Sequence, residues 1–207
     1  MKLDPISLLF DPGFIANKKF YFISGNELTL IEKIKTRIID LLQDNRNTTL
    51  SKIDSIKDYR DEVGLFEDKR IYLIKNCKYL DEEALNSVRD SESIFIFIQE
   101  NLQKIKNIKT MFIKDKDCCL IDCYDLDKEK KIKILNNSLK KYNVRLEKEL
   151  YWFLVEKLDN RYGFFEDSLR KILELNQNEI TLNNIERLLT INEKGKEKVF
   201  FSLFKKN

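Results

Sequence analysis

The sequence predicts an α/β protein, a parallel five-stranded sheet flanked by helices, with a small helical domain after it. Three observations carry this. Short apolar runs of strand length alternate with longer stretches whose apolar residues recur every three or four positions, the pattern of strand–helix–strand units joined by right-handed crossovers. The strongest strand candidate, Ile94-Phe-Ile-Phe-Ile98, is apolar throughout, as a strand covered on both faces must be. After about residue 126 the strand-like runs stop and helical spacing takes over.

Taken in order, Phe20-Tyr-Phe-Ile23 is the first strand candidate, and Ser24-Gly25-Asn26 turns the chain. Leu28, Ile31, Ile34, Ile38, Leu41 and Leu42 then follow at the spacing of an amphipathic helix. Thr48 to Ile53 reads as a second strand, a short helix is expected before Leu65, and Arg70 to Ile74 reads as a third strand. Asp81 is placed to cap a helix with Ala84, Leu85 and Val88 inward. Ile94 to Ile98 and Cys119 to Cys123 complete five strands. Helices are expected over 128–141, 146–158 and 162–175, and a fourth, capped by Thr181, carries Ile185, Leu188 and Leu189. Glu197 to Phe204 reads as the opening of another helix whose apolar side is uncovered. The expected domains are 1–140 (α/β), 141–193 (helical) and 194–207 (the start of something further).

Composition narrows the chemistry. The chain has 207 residues, 43% hydrophobic and 35% charged, with a net charge of +3. That is enough apolar residue for a core, and no apolar run is long enough to cross a membrane. The apolar stretch Ile6-Ser-Leu-Leu-Phe10 is short and bounded by Asp4 and Asp11, unlike a signal peptide. There is no histidine, which removes Ser-His and Cys-His nucleophile pairs and the commonest general base. Cys77, Cys118, Cys119 and Cys123 do not form paired C-x-x-C knuckles, so no metal site is expected, and unpaired thiols fit a cytoplasmic compartment. Lysines crowd two stretches: Lys104, Lys106, Lys109, Lys114 and Lys116, then Lys128 to Lys141. They read either as solvated helix faces or as contacts to a DNA backbone.

A strand, a turn and a helix over 20–42, opening an α/β domain that a helical domain follows, is the layout of P-loop ATPases. Those need Gly-x-x-x-x-Gly-Lys-Ser/Thr, whose backbone amides surround the phosphates. Here the turn is Ile23-Ser-Gly25-Asn26-Glu27-Leu28-Thr29. Only Gly25 remains, no Gly-Lys pair follows, and Glu27 would repel phosphate. Asp122 and Asp125 read as ordinary strand-end polar residues. No nucleotide or other cofactor, and no catalytic residue, is expected.

Residues 58–70 hold one further signal. Gly64, Leu65 and Phe66 stand between acidic and basic neighbours, just before a strand. Two large apolar groups there either tuck into the core or project into a partner's pocket.

Together, Phe20 to Glu27, the Gly64-Leu65-Phe66 run, the Ile94 to Ile98 strand, and Leu158-Asp-Asn-Arg161-Tyr162 through Glu166, Leu169 and Ile172 to Thr181 resemble the delta subunit of the bacterial DNA polymerase III clamp loader, over most of 20–195. The resemblance rests on the order of these features, since none is specific alone. It implies an AAA+-like fold without ATP binding, with 141–193 as the small lid domain and 194–207 as the start of a collar domain that is otherwise absent. It implies that Leu65 and Phe66, with Gly64, form a wedge that enters a pocket on the sliding clamp (beta) and opens the ring for loading onto primed DNA during replication. The implied partners are the clamp, the ATPase subunits and delta-prime of the loader, and primer-template DNA, with Lys104, Lys106 and Lys109 as DNA contacts. The family serves a nucleotidyltransferase holoenzyme, but no catalysis is implied for this subunit. The competing reading is a DNA-binding protein with a degenerate ATPase fold, acting through its lysine clusters.

Overall fold

The computed structural model describes residues 1–11, 18–43, 48–60, 69–75, 77, 80–100 and 105–189. The chain divides into two compact units, Met1–Asp125 and Leu126–Asn207. The division precedes the helix Lys128–Tyr142, so that helix clusters with the second unit and not with an α/β domain running to residue 140.

The first unit is built on strands β1 (Lys2–Leu3), β2 (Phe20–Gly25), β3 (Thr48–Ile53), β4 (Lys69–Lys75), β5 (Ile94–Gln99) and β6 (Cys118–Cys123). They form one sheet in the order β1-β6-β2-β5-β4-β3, and every pairing is parallel. Helices α1 (Pro5–Phe10), α2 (Leu28–Gln43), α3 (Glu82–Asn86) and α4 (Lys106–Lys114) flank it. The sheet therefore has six strands rather than the five expected. The added strand, β1, is two residues long and pairs Lys2 with Leu120 and Leu3 with Ile121, too short to leave any period in the sequence.

Strand β2 occupies the centre because it is apolar on both faces, and all six of its residues are buried. On one side Phe20, Phe22, Tyr72, Phe95, Phe97 and Phe112 share a core with Leu85 and Val88 of the α3 region. Phe95 stacks on Phe20 at 5.7 Å and on Tyr72 at 5.5 Å. On α2 the buried stripe is Leu30, Ile31, Ile34, Ile38 and Ile39. It shares Ile31, Ile34 and Ile38 with the expected stripe, whereas Leu28, at the first helical position, is 54% exposed and Leu30 is buried in its place. The short helix expected before Leu65 is a 3-10 turn, Ile56–Asp58.

The second unit contains α5 (Lys128–Tyr142), α6 (Lys148–Lys157), α7 (Tyr162–Leu173) and a helical stretch at 182–189. Asp127 caps α5 by accepting from the Lys130 amide at 2.9 Å. Asn143 ends it in the left-handed conformation, φ 53°, which asparagine tolerates at a helix C-terminus. Leu150, Leu154, Phe165, Leu169, Ile172 and Ile185 are among the unit's buried apolar residues. Lys131 is 4% exposed. Its ammonium donates to the carbonyls of Val155 (3.4 Å) and Leu158 (2.5 Å), so it closes the C-terminal end of α6, where carbonyls lack helical partners and the dipole favours a cation.

Candidate functional site

Parallel α/β sheets place ligand sites beyond the carboxyl ends of their strands, so the turn after β2 is the natural position for a phosphate loop. Gly25 stands there with φ 154°. A Cβ at Gly25 would lie 1.7 Å from the carbonyl oxygen of Cys123, so the turn is pressed against the end of neighbouring β6. The Glu27 amide donates to that same oxygen at 3.2 Å. Asn26 is exposed. Glu27 is 7% exposed, and its carboxylate accepts from the Thr29 amide at 3.2 Å. A carboxylate of the chain thus sits on the N-terminal amides of α2, the groups that would otherwise receive an anion. Sequence reasoning read Glu27 as a repulsive charge; the structure shows it as the occupant of the helix end.

Beside this turn lies a cluster that sequence reasoning missed. Asp122, read as an ordinary strand-end residue, accepts from Lys109 at 2.5 Å, from Lys2 at 3.0 Å and from Ser24 at 3.2 Å. The Lys109 ammonium also donates to the Tyr124 hydroxyl at 2.8 Å and lies 5.0 Å from the Tyr124 ring centroid. Burial alone would raise the Asp122 pKa, but the bonds from Lys109 and Lys2 outweigh it and hold the carboxyl below its ordinary value. Burial alone would lower the Lys109 pKa; its bonds to Asp122 and Tyr124 outweigh that and raise it. Parallel pairing brings residues 2, 24 and 122 together, and the sequence spacing alone carries no sign of it.

This bears on the lysines named as DNA contacts. Lys109 is held inside the fold by Asp122 and Tyr124, Lys106 is exposed at the first turn of α4, and Lys104 lies outside the described residues. Gly64, Leu65 and Phe66 also lie outside the described residues. The described chain ends at Arg60 before them and resumes at Lys69 after them. Before it, Ser55 and Asp58 form a capping box around the 3-10 turn, and the Tyr59 ring meets Tyr72 edge-on at 5.2 Å. After it, β4 runs in register with β3 from Lys69.

The four cysteines are buried thiols. Burial raises the thiols of Cys77, Cys118 and Cys119 to about 12, which leaves them protonated and unreactive at neutral pH. Among the described residues no cluster of three or more Cys, Asp or Glu is placed to hold a metal ion, and no helix is long and apolar enough to cross a membrane.

No family model matches the chain, and no curated protein matches it. Among solved structures, the DNA clamp loader delta protein of Bacillus subtilis (YqeN) is similar with a TM-score of 0.55 and 17% identity, over 97% of this chain and 70% of that one. Two looser overlaps add no weight. Domain III of the Thermotoga maritima replication initiation protein DnaA has a TM-score of 0.42 at 14% identity, over 85% of this chain and 86% of that one. The Thermotoga maritima RuvB Holliday junction branch migration motor has 0.46 at 10% identity, over 90% and 66%. The class these observations define is an AAA+-like α/β fold, a parallel sheet flanked by helices. Its likeness to the Bacillus delta protein is a likeness of fold.

Proposed function

We propose that this chain is a delta-type clamp-loader subunit, which grips a sliding clamp through Leu65 and Phe66 and opens the ring for loading onto primed DNA. The observation that carries the reading is the fold shared with the Bacillus subtilis clamp loader delta protein across 97% of the chain. The turn after β2 agrees with it. A phosphate position given over to Glu27 and to the Cys123 carbonyl suits a subunit that acts by binding. In this reading the first unit is the AAA+-like domain without a phosphate loop, the second is the lid, and 194–207 opens a collar. The partners are the sliding clamp, the ATPase subunits and delta-prime, and primer-template DNA, with exposed Lys106 as a contact to its phosphates. The compartment is the cytoplasm, where these partners work.

Burying a leucine and a phenylalanine stabilises a complex by roughly 1.5–3 kcal/mol each, enough for a reversible grip. The test mixes the full chain with a purified bacterial sliding clamp and reads the mass of the complex by size-exclusion with light scattering. A complex that forms with the wild type, and is lost when Leu65→Ala and Phe66→Ala are combined, is the expected result. A double variant that binds as well as the wild type sinks the wedge.

A further inference from the structure

Helix α6 shows its tryptophan to solvent. Trp152, the one tryptophan of the chain, is 39% exposed, although tryptophan is highly buried on average. Its ring is nonetheless held in place. The Lys128 ammonium lies 5.2 Å from the ring centroid, and the Tyr151 ring stands edge-on to it at 5.3 Å. The Tyr151 hydroxyl in turn donates to the Asn136 side chain at 2.9 Å. Lys128 and Asn136 belong to one row of α5: Lys128, Ile132, Asn136 and Lys140 follow at four-residue spacing, which sets them on one side of the helix. Lys128, Asn136 and Lys140 are exposed. The row is about 18 Å long at 1.5 Å per residue. Two aromatic rings of α6 therefore lie along a row of α5 that has a lysine at each end. On α6 itself Lys148 stands one turn before Trp152 and Glu156 one turn after, both exposed.

We propose that this face of α5 and α6 binds single-stranded DNA, with Trp152 and Tyr151 stacking on bases and Lys128, Lys140 and Lys148 meeting phosphates. The bases of a single strand are free to offer their faces to aromatic rings, and each phosphate beside them releases a counterion when a lysine takes its place. A duplex hides its base faces, so the rings select the strand form, while lysines alone would hold either. A protein partner would need apolar surface around the tryptophan. The exposed residues of the two rows are instead three lysines, Asn136 and Glu156, which suit a phosphate backbone. Rings and ammonium groups would serve RNA as well; the choice of DNA rests on the clamp-loader reading above. The site uses none of the lysines on or before α4.

A single tryptophan reports on its own site. The full chain is titrated with single-stranded oligothymidylate at a series of salt concentrations. Trp152 fluorescence should be quenched as the complex forms, and a duplex of the same length should leave it unquenched. Lys128→Gln combined with Lys140→Gln changes only exposed side chains, and should lower the slope of log affinity against log salt by about 1.4, or 0.7 for each phosphate contact on a single strand. Trp152→Leu, followed by the anisotropy of a labelled strand, should weaken binding roughly five- to a hundredfold, the worth of one stacked base. Oligothymidylate that leaves Trp152 unquenched, or a salt slope unchanged in the lysine pair, overturns the site. Oligouridylate that binds more tightly than oligothymidylate overturns the choice of DNA. A chain that binds the sliding clamp without any quenching by oligothymidylate overturns this site and leaves the clamp reading standing. Quenching in a chain that does not bind the clamp does the reverse.

Discussion

The α-carbon of Gly25 faces the carbonyl of Cys123 so closely that a methyl group on it would lie 1.7 Å from the oxygen. The two residues are paired in register at the ends of β2 and β6, so neither moves without the sheet. Gly25→Ala forces both a clash with backbone and a φ of 154° that side chains rarely adopt. The expected loss is about 2–5 kcal/mol, from strain and overpacking together. Urea unfolding checks it, and a loss below about 0.5 kcal/mol, the range of a neutral surface substitution, would contradict the contact.

Asp122 ties together Lys109, Lys2 and Ser24. Asp122→Asn leaves a half-buried ammonium with weaker partners, at a cost of about 2 kcal/mol. The pH dependence has a definite sign. The carboxyl is held below its ordinary 3.8 in the folded chain, so its stabilisation is present above about pH 4 and is lost as pH falls through the lowered value. The gap in thermal midpoint between wild type and Asp122→Asn should therefore be wide at pH 7 and narrow as pH falls below 3.8 toward the lowered value. An equal gap throughout would rule out the ion pair as its source.

Lys131 is buried in the second unit with its ammonium on the last carbonyls of α6. Lys131→Ala removes the buried stem and leaves those carbonyls without their donor, an expected loss of about 2–4 kcal/mol. Burial lowers the Lys131 pKa in the folded chain. Between that value and about 10.4, where the unfolded chain still holds the proton, wild-type stability should rise with pH relative to Lys131→Met. Parallel curves for the two proteins would mean that the ammonium is solvated.

The thiols offer a check on the core. Cys77, Cys118 and Cys119 are buried and held protonated to about pH 12, and Cys123 is buried beside them in sequence. Ellman's reagent at pH 8 should label the native chain only at the rate of opening, and should count four thiols at once in guanidinium. Rapid native labelling of Cys118 or Cys119 would place β6 differently.

The strands that carry the sheet were legible because each is a dense apolar run: Phe20 to Ile23 and Ile94 to Ile98 declare themselves on residue type. Strand β1 was not, since Lys2 and Leu3 gain their pairing from residues 118 positions away. Helix α4 was hidden as well. Lysines dilute its apolar residues, and Phe112, fully buried, is read only against Phe22 and Phe97. The missing phosphate motif was plain from the loss of Gly-Lys. What replaces it was not, because the contact of Gly25 with Cys123 and the capping by Glu27 belong to the folded turn. Asp122 was dismissed for a related reason: a lone carboxylate at a strand end looks the same in sequence whether solvent or two lysines surround it.

The order of strands in the sheet has a consequence for how the chain is made. Phe20 takes its neighbours from Phe95 and Cys118, so the central strand emerges from a ribosome with no partner yet synthesised. At 5–20 residues per second, roughly 4–15 s pass before the first of its two flanking strands exists. Through that interval a run of four apolar and aromatic residues, 20–23, lacks both of its flanking strands. Nascent chains should need a holding factor most between the synthesis of residues 25 and 95, and arrest in that window should yield aggregates where arrest past residue 123 does not.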